Sequence, residues 1–294
     1  MRTIKVTEET TLLAMLLQSG YSRTKGKQLL KYRAVSVNDL PATRLDQVLA
    51  AGDSLTITSE KEARSGYPPC PGLPILYEDA DILVIDKPPG LLTIASETEK
   101  IKTAYHRLTA CLGERPDGKE RVFIVHRLDQ GTSGLLVFAK NETAKHALQG
   151  TWQEARKHYR AIVEGRPQND SGTIASYLCE SKIHRVYSVK TDNGEGKYAE
   201  TRYQVVQSND EYSLLDITLL TGRKNQIRVH LADLGHPVAG DKKYGAKTDP
   251  IKRLALQSSH LAFNHPISGE PMEFTLDPPG KFTALMTRKK AFQS

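Results

Sequence analysis

Three cysteines, one tryptophan and 6% aromatic residues in a chain of 294 close off several options at once. Cys70, Cys111 and Cys179 are odd in number and widely spaced, which argues against a disulfide framework and against a zinc site. A reducing, cytoplasmic setting is therefore expected. No run of about eighteen apolar residues occurs, so neither a transmembrane helix nor a membrane partner is expected. The first residues, Met1-Arg2-Thr3-Ile4-Lys5-Val6, lack the apolar core and small-residue cleavage site of a secretory signal. Also missing are a G-x-x-x-x-G-K-S/T phosphate loop, an H-E-x-x-H pair and any histidine cluster with metal-ligand spacing, so no metal is predicted. Ser133 has Gly131 before it but Leu135 where a nucleophile elbow needs glycine.

What is present is a soluble composition, 38% hydrophobic and 26% charged, with a net charge of +7 and a pI near 9.1. That balance favours an anionic partner, nucleic acid before membrane. Residues 9–57 read as a compact unit. Leu12, Leu13, Leu16 and Leu17 recur at helical spacing, with Gly20 as the stop. A short helix over 24–31 follows, then strands over 34–39 and 53–57. Arg23, Lys25, Lys27, Lys31 and Arg33 lie within eleven residues that contain no acid. A solvated helix face is the ordinary reading of such a run, but its single sign is not that of a helix with internal ion pairs. Residues 58–73, charged and then proline-rich, read as a linker.

A larger domain is expected over 74–290. Ile82-Leu83-Val84-Ile85-Asp86 reads as a buried strand halted by Lys87-Pro88-Pro89-Gly90. Residues 98–120 are polar and read as a mobile excursion with a helix over 103–111. Asn141 is a good cap for a helix bearing Ala144, Ala147 and Leu148. In His158-Tyr159-Arg160-Ala161-Ile162-Val163, Tyr159 shares one strand face with Ala161 and Val163. Strands over 199–206 and 213–220 form a hairpin turned by Ser208-Asn209-Asp210. Ile227, Leu231 and Leu234 make a helical stripe ended by Gly235 and Pro237, with Arg228 at its margin. Short strands and turns after His260 finish the sheet.

The densest stretch is Val125-His126-Arg127-Leu128-Asp129-Gln130-Gly131-Thr132-Ser133-Gly134, set between apolar runs at 122–125 and 135–139. It places a carboxylate in a tight connection between two buried strands. Most such residues simply bond their own turn. A buried one without a partner is costly, so Asp129 needs a counter-ion; Arg127, Arg228 and Tyr159 are the polar companions available. A glycosidase needs a second acid close by, and none is evident.

These residues carry two resemblances. Ser22-Arg23-Thr24-Lys25, Lys27, Leu29-Leu30, Val35-Ser36-Val37-Asn38 and Ala51-Gly52-Asp53-Ser54-Leu55 resemble the small RNA-binding domain first seen in ribosomal protein S-four. His126-Arg127-Leu128-Asp129, Thr132-Ser133-Gly134-Leu135-Leu136 and Lys140-Asn141 resemble the signature of the RluA-type pseudouridine synthases. Glu78-Asp79 with Lys87-Pro88-Pro89-Gly90-Leu91, Tyr159-Arg160-Ala161, and the stretch from Gly222-Arg223 through Gln226-Ile227-Arg228 to Tyr244-Gly245 are similar to that family's other motifs, in its order, over about 73–280. The chain departs from the pattern at Asn225, where the family usually has histidine, and at Thr93-Ile94-Ala95-Ser96, where a histidine-proline pair is common.

The resemblance implies an α+β fold: a mixed, mainly antiparallel sheet with flanking helices and a central cleft, plus the small α+β RNA-binding domain. It implies isomerisation of uridine to pseudouridine without a cofactor. Asp129 would be the nucleophile, Arg228 its partner, Tyr159 the platform for the base, and Arg127 a support for the flipped nucleotide. The base must leave its stack to be reached. Gly131 and Gly134 read as room for a nucleotide backbone. The expected partner is RNA, ribosomal before transfer RNA, with no obligate protein partner; the competing reading is a non-catalytic RNA-binding or ribosome-assembly protein of the same fold.

Overall fold

The computed structural model describes residues 2–31, 34–38, 40–42, 44–57, 70, 72–114, 121–192 and 194–288. The N-terminal unit contains strands β1 (Arg2–Lys5) and β2 (Thr10–Thr11), helices α1 (Leu12–Gln18) and α2 (Arg23–Lys31), and strands β3 (Val35–Val37), β4 (Leu40–Pro41), β5 (Val48–Leu49) and β6 (Ser54–Ile57). The Thr11 hydroxyl caps α1, and Ser22 Oγ accepts from the Lys25 amide to open α2. A four-stranded sheet runs β1-β6-β3-β4, so the unit extends upstream of residue 9, with Arg2 opposite Ile57. Leu12, Leu16, Leu29, Val35, Leu49 and Leu55 form its own core. Gly26 lets α2 approach α1: a Cβ there would meet Leu16 at 3.3 Å.

Of the expected linker, Cys70, Gly72 and Leu73 are described; Cys70 and Leu73 are buried in the core of the larger domain. That domain comprises β7 (Ile75–Glu78), β8 (Ile82–Lys87), α3 (Ala104–Gly113), β9 (Phe123–Ile124), β10 (Ser133–Ala139), α4 (Glu142–Thr151), β11 (Arg156–Glu164), β12 (Ser171–Glu180), β13 (Val186–Val189), β14 (Lys197–Ser208), β15 (Tyr212–Leu219), α5 (Gln226–Asp233), β16 (Leu256–Asn264), β17 (Pro271–Thr275) and α6 (Gly280–Thr287). One sheet runs β13-β12-β14-β15-β11-β16-β10-β8-β7, with β17 on β16 and β9 on β10. Among these pairings β10–β16 is parallel and the rest are antiparallel.

Strands β8 and β10 are covered on both faces, which is why they read as continuous apolar runs. Ile82 and Val84 share one core with Leu135, Val137 and the α4 residues Ala144 and Leu148. Leu83 and Ile85 join Leu136 and Phe138 in the other, beneath α3, α5 and α6. Asn141 caps α4 by accepting from the Ala144 amide at 2.8 Å. Among the described residues no helix is long and apolar enough to cross a membrane.

Three expectations are corrected. Cys70 and Cys111 form a disulfide, while Cys179 is buried and takes no part in one. The 41-residue separation hid the pair, because packing of α3 against the segment around Leu73 brings their Cα atoms to 5.6 Å. For the same reason the middle of the expected 98–120 excursion is packed: the helix expected over 103–111 is α3, with Leu108 and Leu112 fully buried, and Leu92 bridges to Thr103, while residues 115–120 lie outside the described residues. Leu234 lies outside the α5 stripe and is exposed; Ile227, Val229 and Leu231 are the buried apolar residues of that helix, together with two polar ones.

Candidate active site

Asp129 lies in the connection between β9 and β10, at one end of the buried strands. Its two neighbours are pinned by the segment 87–93. Thr93, itself buried, donates Oγ1–H to the Leu128 carbonyl at 2.9 Å and accepts from the Leu128 amide at 3.1 Å. The Gly90 amide donates to the Gln130 carbonyl at 2.8 Å, and the Gln130 side chain returns a bond to the Gly90 carbonyl. Lys87, fully buried, spends its ammonium on the carbonyls of Leu91 (2.7 Å), Pro88 (3.0 Å) and Gln130 (3.3 Å). Burial pulls its pKa down to about 8, against the charge of Asp129, which supports the cation. The Lys-Pro-Pro-Gly motif thus holds the Asp129 loop in place, a role that its reading as a strand stop did not disclose.

The Asp129 carboxylate faces Arg228, in the first turn of α5. Arg228 Nη1 donates to Asp129 Oδ2 at 3.2 Å, so the arginine does not merely snorkel to water. Its main anchor is Asp241: Nε donates to Oδ2 at 2.6 Å and Nη2 to Oδ1 at 2.7 Å, a bidentate pair. The guanidinium also lies over the Tyr244 ring, 4.8 Å from its centroid. Burial opposes the charge, but the bonds and charge of Asp241, then those of Asp129, raise the Arg228 pKa above its ordinary value. Among the described residues, the Asp129 side chain makes no bond to its own turn, which removes the simple turn-aspartate reading.

Helix α5 is docked by polar residues. Gln226 Oε1 accepts from the Thr221 hydroxyl and the Arg223 amide, while its amide nitrogen donates to the Glu200 carbonyl and the Thr201 hydroxyl. His230 sits between Thr201 and Ser176, at 2.9 Å from each hydroxyl, and burial pushes its pKa down to about 4. A hydrophobic stripe alone could not announce these contacts.

An open cleft is lined by Arg127, Asp129, Thr132, Tyr159, Asn225 and Arg228, among others. All four residues expected at the site from the sequence therefore converge on it. Tyr159, 8% exposed, presents a ring from β11; burial pushes its phenol up to about 12, a bond with Ser258 opposes that, and the Asp129 charge adds to it. Arg127 is exposed at the rim. His126 is structural: its Nε2 accepts from the Val137 amide at 3.1 Å, its ring stacks on Trp152, and burial pushes it down to about 3.

A Cβ on Gly134 would stand 2.2 Å from the Ser258 carbonyl oxygen, and one on Gly131 would stand 2.9 Å from the Leu254 side chain. Protein packing alone requires glycine at both positions, at Gly134 for the close approach of β16 and at Gly131 for Leu254. Of the basic residues in the N-terminal unit, Arg23 and Lys27 are exposed on α2 and Lys25 is half-buried. The Lys31 side chain and Arg33 lie outside the described residues.

Comparison with known proteins completes the picture. The fold is shared with a solved structure, human RNA Pseudouridylate Synthase Domain Containing 1, at a TM-score of 0.56 and 27% identity, covering 72% of this chain and 86% of that one. A sequence profile of the RNA pseudouridylate synthases matches residues 81–233. A Bacillus subtilis protein described as an uncharacterized RNA pseudouridine synthase, YlyB, is 36% identical over 87% of this chain and 86% of its own length. Ribosomal large subunit pseudouridine synthase D of Nitrosomonas europaea is 34% identical over 93% of this chain and 82% of that one. The architecture is thus that of the pseudouridylate synthases. The chain belongs to the RNA pseudouridylate synthase family and is an isomerase acting on RNA.

Proposed function

We propose that the chain converts specific uridines of large-subunit ribosomal RNA to pseudouridine, with Asp129 as nucleophile. One observation carries this reading: the Asp129 carboxylate, Arg228 at 3.2 Å and the Tyr159 ring line one cleft. In this reading uracil stacks on Tyr159 while Asp129 attacks; the bond between uracil and ribose is broken, the base turns in the closed pocket, and it rejoins through carbon. Arg127, at the rim, holds the flipped nucleotide. The exposed cations Arg23 and Lys27, with Lys25, Lys31 and Arg33, meet RNA phosphates through the N-terminal unit, which resembles the S-four domain. Similarity to a protein named for the ribosomal large subunit supports ribosomal over transfer RNA. The proposed site of action is the cytoplasm, a reading that rests on the RNA partner alone, since the Cys70–Cys111 disulfide removes the argument from cysteine spacing.

The test is a pseudouridine map of total RNA from cells with the protein, without it, and with Asp129→Asn. The expected result is loss of discrete large-subunit rRNA sites in the second and third cultures. Lost sites confined to transfer RNA would redirect the substrate, and an unaltered map in Asp129→Asn would sink the nucleophile.

A further inference from the structure

Asp129 receives a bond from Arg228, and Arg228 is held in turn by Asp241, Asn225 and Tyr244. Its Nε and Nη2 are taken by Asp241, which is 2% exposed. One face of the guanidinium lies on Tyr244. The third nitrogen, Nη1, has two protons: one reaches Asp129 Oδ2 at 3.2 Å and the other Asn225 Oδ1 at 3.3 Å. Asn225 in turn donates from Nδ2 to the Tyr244 hydroxyl at 2.8 Å, and that hydroxyl also accepts from the Val186 amide at 3.3 Å. Asn225 reaches both partners from a left-handed backbone, φ +53°, directly before α5, and is 8% exposed. A residue other than glycine in that conformation is strained, and the two side-chain bonds are what that position provides.

We propose that Asp241 and Asn225 are positioning residues for the isomerisation: they clamp the Arg228 guanidinium against Tyr244 with one N–H aimed at Asp129, and Asp241 keeps the cation paired when Asp129 gives up its charge. The proposal rests on the reading of Asp129 as nucleophile. When a carboxylate oxygen forms a bond to carbon, its electron pair enters that bond and the carboxylate becomes a neutral ester. If the bond is to ribose C1′, the C1′–N1 pair leaves on uracil N1; if it is to uracil C6, the C5–C6 π pair moves toward O4. In both cases the negative charge passes to uracil. A guanidinium paired with Asp129 alone would then be an uncompensated buried cation, free to follow the charge or to swing out. Bound bidentately to Asp241, it stays in place through formation and breakdown of the intermediate, with no reorganisation at the moment of reaction.

The experiment uses the full chain. Values of kcat and KM are measured on total RNA purified from cells lacking the protein, with thermal unfolding in parallel, for Asp241→Asn, Asp241→Glu, Asn225→Ala and Asn225→Asp. The expected result for Asp241→Asn is a fall in kcat of about 100-fold at near-parental KM, the size seen when one preorganised electrostatic interaction is removed. Asp241→Glu should recover part of it. Asn225→Ala should cost about tenfold in kcat, and Asn225→Asp, which keeps an acceptor for Nη1, should cost less. A crystal structure of Asp129→Asn should show Arg228 still seated on Asp241 and Tyr244. An Asp241→Asn enzyme with parental kcat, beside an inactive Asp129→Asn, overturns the clamp alone. Activity that persists in Asp129→Asn overturns the nucleophile and the charge-keeping role with it. Should Asp241→Asn fail to fold, Asn225→Ala and the Asp129→Asn structure decide: a guanidinium that has left Asp241 refutes the proposal.

Discussion

Two carboxylates, Asp79 buried and Asp129 half-buried, are treated in opposite ways. Asp79, 3% exposed, has both oxygens occupied: Oδ1 accepts from the amides of Asp81 and Ile82, both at 2.8 Å, and Oδ2 from the Tyr77 hydroxyl at 2.6 Å and His265 Nε2 at 3.0 Å. The amides of Ser268 and Ile267 point at His265 Nδ1, which places the ring proton on Nε2. Burial works against the Asp79 charge, yet the bonds from His265, Tyr77 and the two amides win and hold its pKa below the usual carboxylate range. Asp129 has a side chain 21% exposed and, among the described residues, one side-chain hydrogen bond, from Arg228. A saturated carboxylate fixes the chain; an under-bonded one beside a captive cation keeps a lone pair for chemistry. Asp79, Asp81 and His265 have ligand atoms within 4.8 Å of one another, but those on Asp79 and His265 are spent on protein hydrogen bonds.

The contrast gives graded expectations. Arg228→Lys keeps the charge at Asp129 but loses the fork that Asp241 and Asn225 hold; kcat should fall by roughly 10²- to 10³-fold in a single-turnover assay, with folding intact. Gly134→Ala forces a Cβ into the Ser258 carbonyl at a backbone φ of +109°, and should cost about 3 kcal/mol in denaturant unfolding. The smallest effect belongs to the N-terminal helix. Neutralising Arg23, Lys25 and Lys27 should flatten the salt dependence of RNA binding by about 0.7–0.9 in slope for each phosphate that is no longer neutralised, with kcat unchanged.

How far the sequence carried the reading depended on the kind of contact involved. Strands β8 and β10 and the cap at Asn141 were legible because apolar runs and capping residues act locally. Asp129, Arg228, Tyr159 and Arg127 were legible through ordered motifs, although 99 residues separate Asp129 from Arg228. What stayed hidden was set by tertiary approach. Nothing local marks Cys70 as a partner for Cys111, Gly134 as the place where β16 passes, or Asp241 as the second carboxylate on Arg228. The burial of Gln226 and His230 was equally silent, since polar residues on a helix look solvated until their four-way and two-way bonds to β14 and its neighbours are seen. Lys87 read as a stop signal, and its burial beneath three carbonyls emerged only with the fold.

The most direct measurement sets the two carboxylates against each other. Asp129→Asn and Asp79→Asn are compared in pseudouridine formation per folded molecule and in free energy of unfolding. Asp129→Asn should lose activity by about 10³-fold or more while stability moves by less than about 1 kcal/mol. Asp79→Asn should lose about 2–4 kcal/mol, because an amide cannot accept from all four donors, with activity per folded molecule nearly parental. The opposite pattern, an active Asp129→Asn or an Asp79→Asn that is stable and inactive, would contradict the assignment of chemistry to one carboxylate and architecture to the other.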